Sequence, residues 1–305
     1  MRVLFLGMGG QFTQIVLERL LNAGVEVCAL LLSGPQLHPL RPEVAIASDP
    51  LALPLLESFV KPNALHLAWQ QGIPVYESGP LSAPGLADRI GQLAPDVACV
   101  ACFDRIIPAR LRALPRYGFL NVHPSLLPHF RGPEPLFWQL RSGVNPVGVT
   151  VHWMDAGPDT GDIAGQRSLP LADGISGRKA DALCAAAGGD LLAEVVGQLA
   201  AGRAERRPQP TGGSYQPAPG PEDFRVENDW SARRVFNFMR GTAEWGYPYP
   251  VEIDGQGWRL SGPLGWGATP LSQPVEFLAS GSARVAFAGG SVEVAFCAPV
   301  PSSHG

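Results

Sequence analysis

The sequence is poor in charge. Only 16% of its 305 residues are Asp, Glu, Lys or Arg and the formal net charge is −4, so no global positive field draws the chain to nucleic acid or to an anionic membrane. Long apolar runs are also missing. None approaches the roughly 20 residues of a membrane span, and the N-terminal stretch Val3-Leu4-Phe5-Leu6 meets Gly7 before it reaches the length of a secretory signal core. A cytoplasmic location without a membrane partner is expected. The cysteines Cys28, Cys99, Cys102, Cys184 and Cys297 form an odd set without the dense spacing of a disulfide scaffold, which fits a reducing compartment. Cys99 and Cys102 make a C-x-x-C, but the run Asp96 to Phe103 reads as a buried strand, where residues three apart face opposite sides. With no second cysteine pair and no H-x-x-x-H spacing, no metal is expected. No internal repeat is visible, and 36 glycines with 31 prolines stay below the low-complexity range.

What is present suits a globular protein. The 305 residues are long enough for two domains or one large one, and the 46% that are hydrophobic supply a core. Val3 to Leu6 reads as a buried strand, Gly7 to Gly10 as a tight loop, Phe12 to Leu21 as an amphipathic helix and Val25 to Leu32 as a second strand. With further strands at Val97 to Ala101 and Phe119 to Val122, this predicts an α/β fold, a Rossmann-like, doubly wound and mostly parallel sheet. Leu32 to Lys61 reads as an irregular insertion. Ser176 to Ala201 reads as an Ala- and Leu-rich helix capped by Ser176 and closed by Gly202. The Pro-, Gly- and Arg-containing stretch 203–221 reads as a linker between a catalytic domain, 1–202, and a smaller C-terminal domain, 222–305. In the latter, Asp229 to Arg240 reads as a helix with Ser231 a cap. A hairpin near Asp254-Gly255 and short strands from Val275 to Phe296 suit a small, OB-like β-barrel.

The run Asn121-Val122-His123-Pro124-Ser125-Leu126-Leu127-Pro128 carries the chemistry. Residues i and i+2 of a strand face one side, so a strand ending at His123 aims an amide and an imidazole into one space. That pair offers a hydrogen-bond donor and a proton acceptor to one substrate. Ligands of doubly wound sheets sit at the carboxyl ends of the strands, where this pair lies. Ser125 is placed to fix the following loop. His129 and His152 read as loop or strand-surface residues.

The sequel completes a pattern: Leu126-Leu127-Pro128, Arg131-Gly132, Gly148-Val149-Thr150, and Asp155-Ala156-Gly157-Pro158-Asp159-Thr160-Gly161. These blocks resemble the folate-dependent formyltransferase family, with the likeness running from about residue 1 to 260. The resemblance implies transfer of a formyl group from 10-formyltetrahydrofolate, the co-substrate, to an amine. It implies Asn121, His123 and Asp159 as the catalytic set: His123 the base, Asn121 the oxyanion donor, and Asp159 the partner of the imidazolium or of an ordered water. Asp155 and Asp162 read as solvated or turn-stabilising. The folate slot is implied beside Phe103, Asp104, Arg105 and Ile106 and beside Asp155 and Gly157, with Phe103 and Ile106 as ring walls. The family often has an aromatic-Gly pair where this chain has Phe103-Asp104. The family's open-barrel C-terminal domain matches the barrel reading above.

Other functions leave weaker marks. Gly7-Met8-Gly9-Gly10-Gln11-Phe12 is a partial dinucleotide fingerprint, but Phe12 replaces the third glycine and Leu30-Leu31-Leu32-Ser33 offers no acid to a ribose, which disfavours an oxidoreductase. Hydrolysis of 10-formyltetrahydrofolate would use the same residues as transfer. A methionyl-tRNA formyltransferase should present positive charge to RNA. Residues 34–61 contain only Arg41 and Lys61, and residues 221–305 hold 6 Arg and no Lys against 9 Asp plus Glu. The charge argues for a small amine acceptor, an amino sugar or an amino acid or peptide amine, and against nucleic acid. Arg131, Glu134, Phe137 and Trp138 follow the catalytic strand and line the acceptor side or belong to the core. A homo-oligomer is compatible with the sequence.

Overall fold

The computed structural model describes residues 1–34, 37–40, 63–83 and 85–300. In chain order the regular elements are β1 (Arg2–Gly7), α1 (Gln11–Asn22), β2 (Glu26–Leu32), β3 (Leu37–Leu40), α2 (Ala64–Gln70), β4 (Val75–Ser78), α3 (Leu86–Leu93), β5 (Val97–Ala101), α4 (Ala109–Arg112), β6 (Phe119–His123), α5 (Pro135–Ser142), β7 (Val147–Trp153), β8 (Ile163–Leu169), α6 (Gly177–Ala200), α7 (Ala232–Thr242), β9 (Tyr249–Ile253), β10 (Gln256–Gly267), β11 (Val275–Phe277), β12 (Ala283–Phe287) and β13 (Gly290–Pro299). They fold as two compact units interleaved along the chain. Met1–Arg131, Gly148–Ser168 and Ala182–Ser214 form the first; Gly132–Val147, Leu169–Asp181 and the chain from Tyr215 onward form the second. Most of the expected insertion, Leu32 to Lys61, lies outside the described residues.

The first unit is built on an eight-stranded sheet of order β3-β4-β2-β1-β5-β6-β7-β8. Strands β4, β2, β1, β5 and β6 run parallel, while β3 and β7 are antiparallel to β4 and β6. The central strands are buried along nearly their whole length instead of alternating, as strands covered on both faces must be. From β1 the chain steps outward through β2 to β4, then returns to the other side of β1 as β5 and β6. The reversal between β1 and β5 opens the crevice at the carboxyl ends in which such sheets bind ligands.

By length and apolar composition α6 would pass for a membrane span. Its glycines instead seat it on its neighbours: a Cβ on Gly188 would meet Val122 Cγ1 at 2.4 Å, and one on Gly189 would meet Arg19 Cβ at 2.7 Å. The close approach buries Cys184, Ala185, Leu192, Val195 and Val196. Each large aliphatic side chain so buried contributes about 1.5–3 kcal/mol. The stretch from Arg203 to Ser214, expected as part of a linker, runs as a strap along the first unit. Ile163 and Arg207 exchange both backbone hydrogen bonds at 2.7 and 3.0 Å, and Ser214 N donates to Pro128 O at 3.1 Å.

The second unit combines α5 and α7 with an antiparallel sheet of order β11-β12-β13-β10-β9. Ser231 caps α7, its Oγ accepting from Arg234 N at 3.3 Å. Asp254 and Gly255, with φ of 49° and 76°, form the two-residue hairpin turn that an Asp-Gly pair favours. Trp258 on β10 and Phe277 on β11 stack with centroids 6.3 Å apart, although the strand order puts them three positions apart, about 14 Å in a flat sheet. The sheet therefore curls toward a barrel. Its pairing runs from β11 at one edge to β9 at the other. The core is aromatic: Phe137 of α5, Phe224, Phe238 of α7 and Tyr249 of β9 lie with ring centroids 5.2–6.4 Å apart.

Candidate active site

Strand β6 brings Asn121 and His123 to the carboxyl end of the sheet, on the face where β7 supplies the cross-strand partners: Asn121 lies opposite His152 and His123 opposite Thr150. Both histidines are buried, at 4% and 1% exposure. A buried imidazole needs a hydrogen-bond partner. His123 Nε2 donates to the Phe130 carbonyl oxygen at 2.9 Å. The φ of +57° at Phe130 turns that carbonyl inward, a left-handed conformation that costs a non-glycine residue about 1–2 kcal/mol. The proton of the neutral ring is thereby assigned to Nε2. His123 Nδ1 is left as a lone pair, facing Asp159 Oδ1 at 3.7 Å.

His152 is read the same way. Its Nδ1 donates to the Trp153 carbonyl oxygen at 3.0 Å, so its Nε2 accepts from the Asn121 amide nitrogen at 3.1 Å. That bond turns the Asn121 carboxamide nitrogen toward His152 and uses one of its two N–H groups. The second N–H is not used in that bond. His152 Nε2 also lies 3.5 Å from Asp159 Oδ1, so one carboxylate oxygen faces both imidazoles. Burial pushes the His123 ring below the ordinary imidazole value of 6.5, against the pull of Asp159 and together with the second imidazole. The burial thus favours the neutral form of the ring.

Sequence reasoning placed His152 on a loop or strand surface, and the structure corrects this. Strand β7 is buried at every position, so its polar residues cannot face water. Thr150 is integrated likewise: its Oγ1 donates to Ser125 O at 2.6 Å and accepts from Leu127 N at 3.1 Å and Gln166 Nε2 at 3.0 Å. Ser125 fixes the loop after His123 as expected, donating from Oγ to His129 O at 2.7 Å. His129 is exposed.

The loop between β7 and β8 carries Asp159. Asp155 Oδ1 accepts from Gly157 N at 3.1 Å and Thr160 Oγ1 at 2.7 Å, so this carboxylate braces the turn. Asp159 has φ of +55°, a conformation that Asp tolerates better than most residues. Gly161 is required by closeness: a Cβ there would lie 1.8 Å from the Trp153 carbonyl oxygen. Of the loop's three aspartates, it is Asp159 that faces the two imidazoles.

The segment after β5 begins with Cys102 at φ of +58°, just beyond the strand, where its thiol is exposed while that of Cys99 is buried. Phe103 packs against the core cluster of the sheet. Asp104 Oδ1 accepts from Ser33 Oγ at 2.6 Å, and the Arg105 guanidinium donates to the carbonyl oxygens of Gly34 and Gly79. These two charges tie the loops at the carboxyl ends of β2, β4 and β5 together. Ile106 is 84% exposed. Arg131 belongs to the first unit, whereas Glu134, Phe137 and Trp138 belong to the second, where Phe137 is part of the aromatic core. Among the described residues no cluster of His, Cys, Asp and Glu has the arrangement of a metal site.

The chain is similar to known proteins in sequence and in fold. The family model described as formyl transferase matches residues 1–196. A methionyl-tRNA formyltransferase of Geotalea uraniireducens is 34% identical over 248 residues, covering 80% of this chain and 74% of that protein. The structure of the N-formyltransferase from Helicobacter canadensis, in complex with folinic acid and dTDP-3-aminofucose, matches with a TM-score of 0.64 at 16% identity, over 97% of this chain and 99% of that one. HypX from Aquifex aeolicus in complex with tetrahydrofolic acid matches with a TM-score of 0.58 at 17% identity; 99% of this chain is covered, but it spans only 46% of HypX. At such identities the structural matches speak for the fold. The match over residues 1–196 and the 34% identity over 248 residues establish that this chain belongs to the formyl transferase family.

Proposed function

We propose that the protein transfers a formyl group from 10-formyltetrahydrofolate to the primary amine of a small acceptor. One observation carries the reading: a buried neutral imidazole has its free Nδ1 beside a carboxylate, on the same strand face as an amide held with its nitrogen in a fixed direction. His123 Nδ1 takes a proton from the attacking amine as the new C–N bond forms, and Asp159 stabilises the imidazolium. Asn121 donates its second N–H to the oxygen that gains charge. As the bond from the formyl carbon to the folate nitrogen breaks, His123 returns the proton to that nitrogen. The donor is taken to lie along Phe103 to Ile106 and the Asp155 to Gly157 turn. There Ile106 offers an uncovered apolar surface to a flat ring, while Asp104 and Arg105 shape the floor through their loop contacts.

The acidic balance of residues 221–305 favours an amino sugar, or an amino acid or peptide amine, as acceptor. Methionyl-tRNA is the second reading, favoured by the relatives that bear that name at 31–34% identity. A panel of amines and methionyl-tRNA, each incubated with 10-formyltetrahydrofolate, separates them. Faster formylation of a small amine than of methionyl-tRNA is expected. The reverse ranking defeats the small-acceptor reading, and formate release without acceptor at a comparable rate defeats transfer altogether.

A further inference from the structure

Two loops meet at the reacting centre: Pro128 to Gly132, which presents the Phe130 carbonyl to His123, and Asp155 to Asp162, which presents Asp159. Neither belongs to a regular element, and Phe130 and Asp159 both have positive φ. A third segment, the strap from Arg203 to Ser214, contacts both. Phe130 N donates to Ser214 Oγ at 2.9 Å and Arg131 N to Ser214 O at 2.9 Å. On the other side, Gln209 Nε2 donates to the carbonyl oxygens of Asp159 and Gly161, each at 2.8 Å. Gln209 Oε1 accepts from Arg131 Nε at 3.2 Å and from its terminal nitrogen at 2.7 Å. One side-chain amide thus uses both N–H groups on the loop of the carboxylate and its oxygen on the loop that orients the base. Arg131 thereby presents two of its guanidinium nitrogens to Gln209.

We propose that Gln209 is a positioning residue of the reaction: by binding the Asp159 and Gly161 carbonyl oxygens while Arg131 grips its own oxygen, it holds the Asp159 carboxylate opposite His123 Nδ1. The role rests on the functional reading above, and the geometry gives it a distinct signature. The groups facing His123 are Asp159 from its loop, His152 from β7 and the Phe130 carbonyl from the loop after β6. Of these only the carboxylate favours the imidazolium by charge, so releasing it lowers the pH at which His123 titrates.

The test follows the His123 ring by NMR titration in the wild type, Gln209→Ala, Gln209→Glu, Asp159→Asn and Asp159→Asn/Gln209→Ala. Gln209→Ala is expected to move the His123 titration to lower pH and to reduce kcat about tenfold, with KM for the folate donor unchanged. In the Asp159→Asn background the same substitution should change neither, because its effect passes through the carboxylate. Gln209→Glu keeps an acceptor for Arg131 but has no N–H for the two carbonyls, so its kcat should fall as that of Gln209→Ala does, while the added negative charge keeps its His123 titration from being compared with the others. An unmoved His123 titration in Gln209→Ala, a wild-type kcat in Gln209→Glu, or equal losses of kcat in both backgrounds would overturn the proposal. The titration needs no turnover. A shifted His123 in a protein that formylates no amine would therefore uphold the positioning and refute the reaction.

Discussion

Around β6 and β7 the first unit buries His123, Ser125, Thr150 and His152, each with a directed hydrogen-bond partner, whereas around α5 and α7 the second unit buries Phe137, Phe224, Phe238 and Tyr249 ring against ring. The rings meet at interplanar angles from 38° to 82°, because burial of apolar area tolerates many orientations. The imidazoles allow no such latitude. Turning either ring exchanges a donor for a lone pair, and the surrounding backbone adopts positive φ at Phe130 and Asp159 to meet them. Local strain of this kind, of order 1–3 kcal/mol per residue, persists where the surrounding structure over-determines the position. The first region should therefore control rate and the second stability.

The sharpest attempt to break that division is His123→Ala. Loss of the base is expected to lower kcat by about 10²–10⁴-fold, read in a formylation assay, while a cooperative melt survives. A variant that keeps wild-type kcat would end the assignment of His123. Phe238→Ala tests the other half: denaturant unfolding should lose about 3–5 kcal/mol, with kcat per folded molecule unchanged. His152→Ala is a finer probe. Without its acceptor the Asn121 amide is free to turn, so kcat should fall about tenfold with little change in KM, and His152→Gln should recover part of the loss.

The smallest effects lie in pH. Folded His123 binds its proton below the ordinary value of 6.5, so below about 6.5 the unfolded chain binds more protons and stability declines as pH falls; above it this group contributes nothing. The acid limb of kcat/KM should likewise sit below 6.5. In the second unit the sign reverses. Desolvation, then the charge of Glu244, raises Asp181 from 3.8 to about 6, so its contribution is complete below 3.8 and is lost as pH rises through about 6. Asp181→Asn should therefore stabilise the protein at about pH 7 and not at about pH 3.5. Equal effects at both values would remove the contrast between the units.

The amide and imidazole of β6 were legible because i and i+2 on a strand share a face whatever lies around them. Asp159 was singled out by the resemblance, from its place before Thr-Gly, and it lies 3.7 and 3.5 Å from the two imidazoles. His152 was not legible, since its role depends on the antiparallel register that sets it opposite Asn121, 31 residues away. A trace was present: Thr150 and His152 repeat on β7 the spacing of Asn121 and His123, two polar residues on an otherwise apolar strand. Composition separated the ends of the chain but gave no sign of the interleaving. The second unit takes α5 and Leu169–Asp181 from within the part of the sequence that reads as the first domain. Hairpin chemistry at Asp254-Gly255 was local and readable, whereas the curl that brings Trp258 to Phe277 arises from accumulated twist.

The interleaving sets an order on synthesis. Helix α5 leaves the ribosome with Phe137 and Leu140 on its apolar side, but Phe238, the ring of α7 that covers Phe137, follows about 100 residues later. At about 5–20 residues per second, that helix waits roughly 5–20 s for its partner. Meanwhile the strands on either side of it, β6 and β7, can already pair. Strands β6 and β7 can thus pair around a helix whose apolar side is still uncovered, and during those seconds that exposed surface makes the nascent chain prone to association.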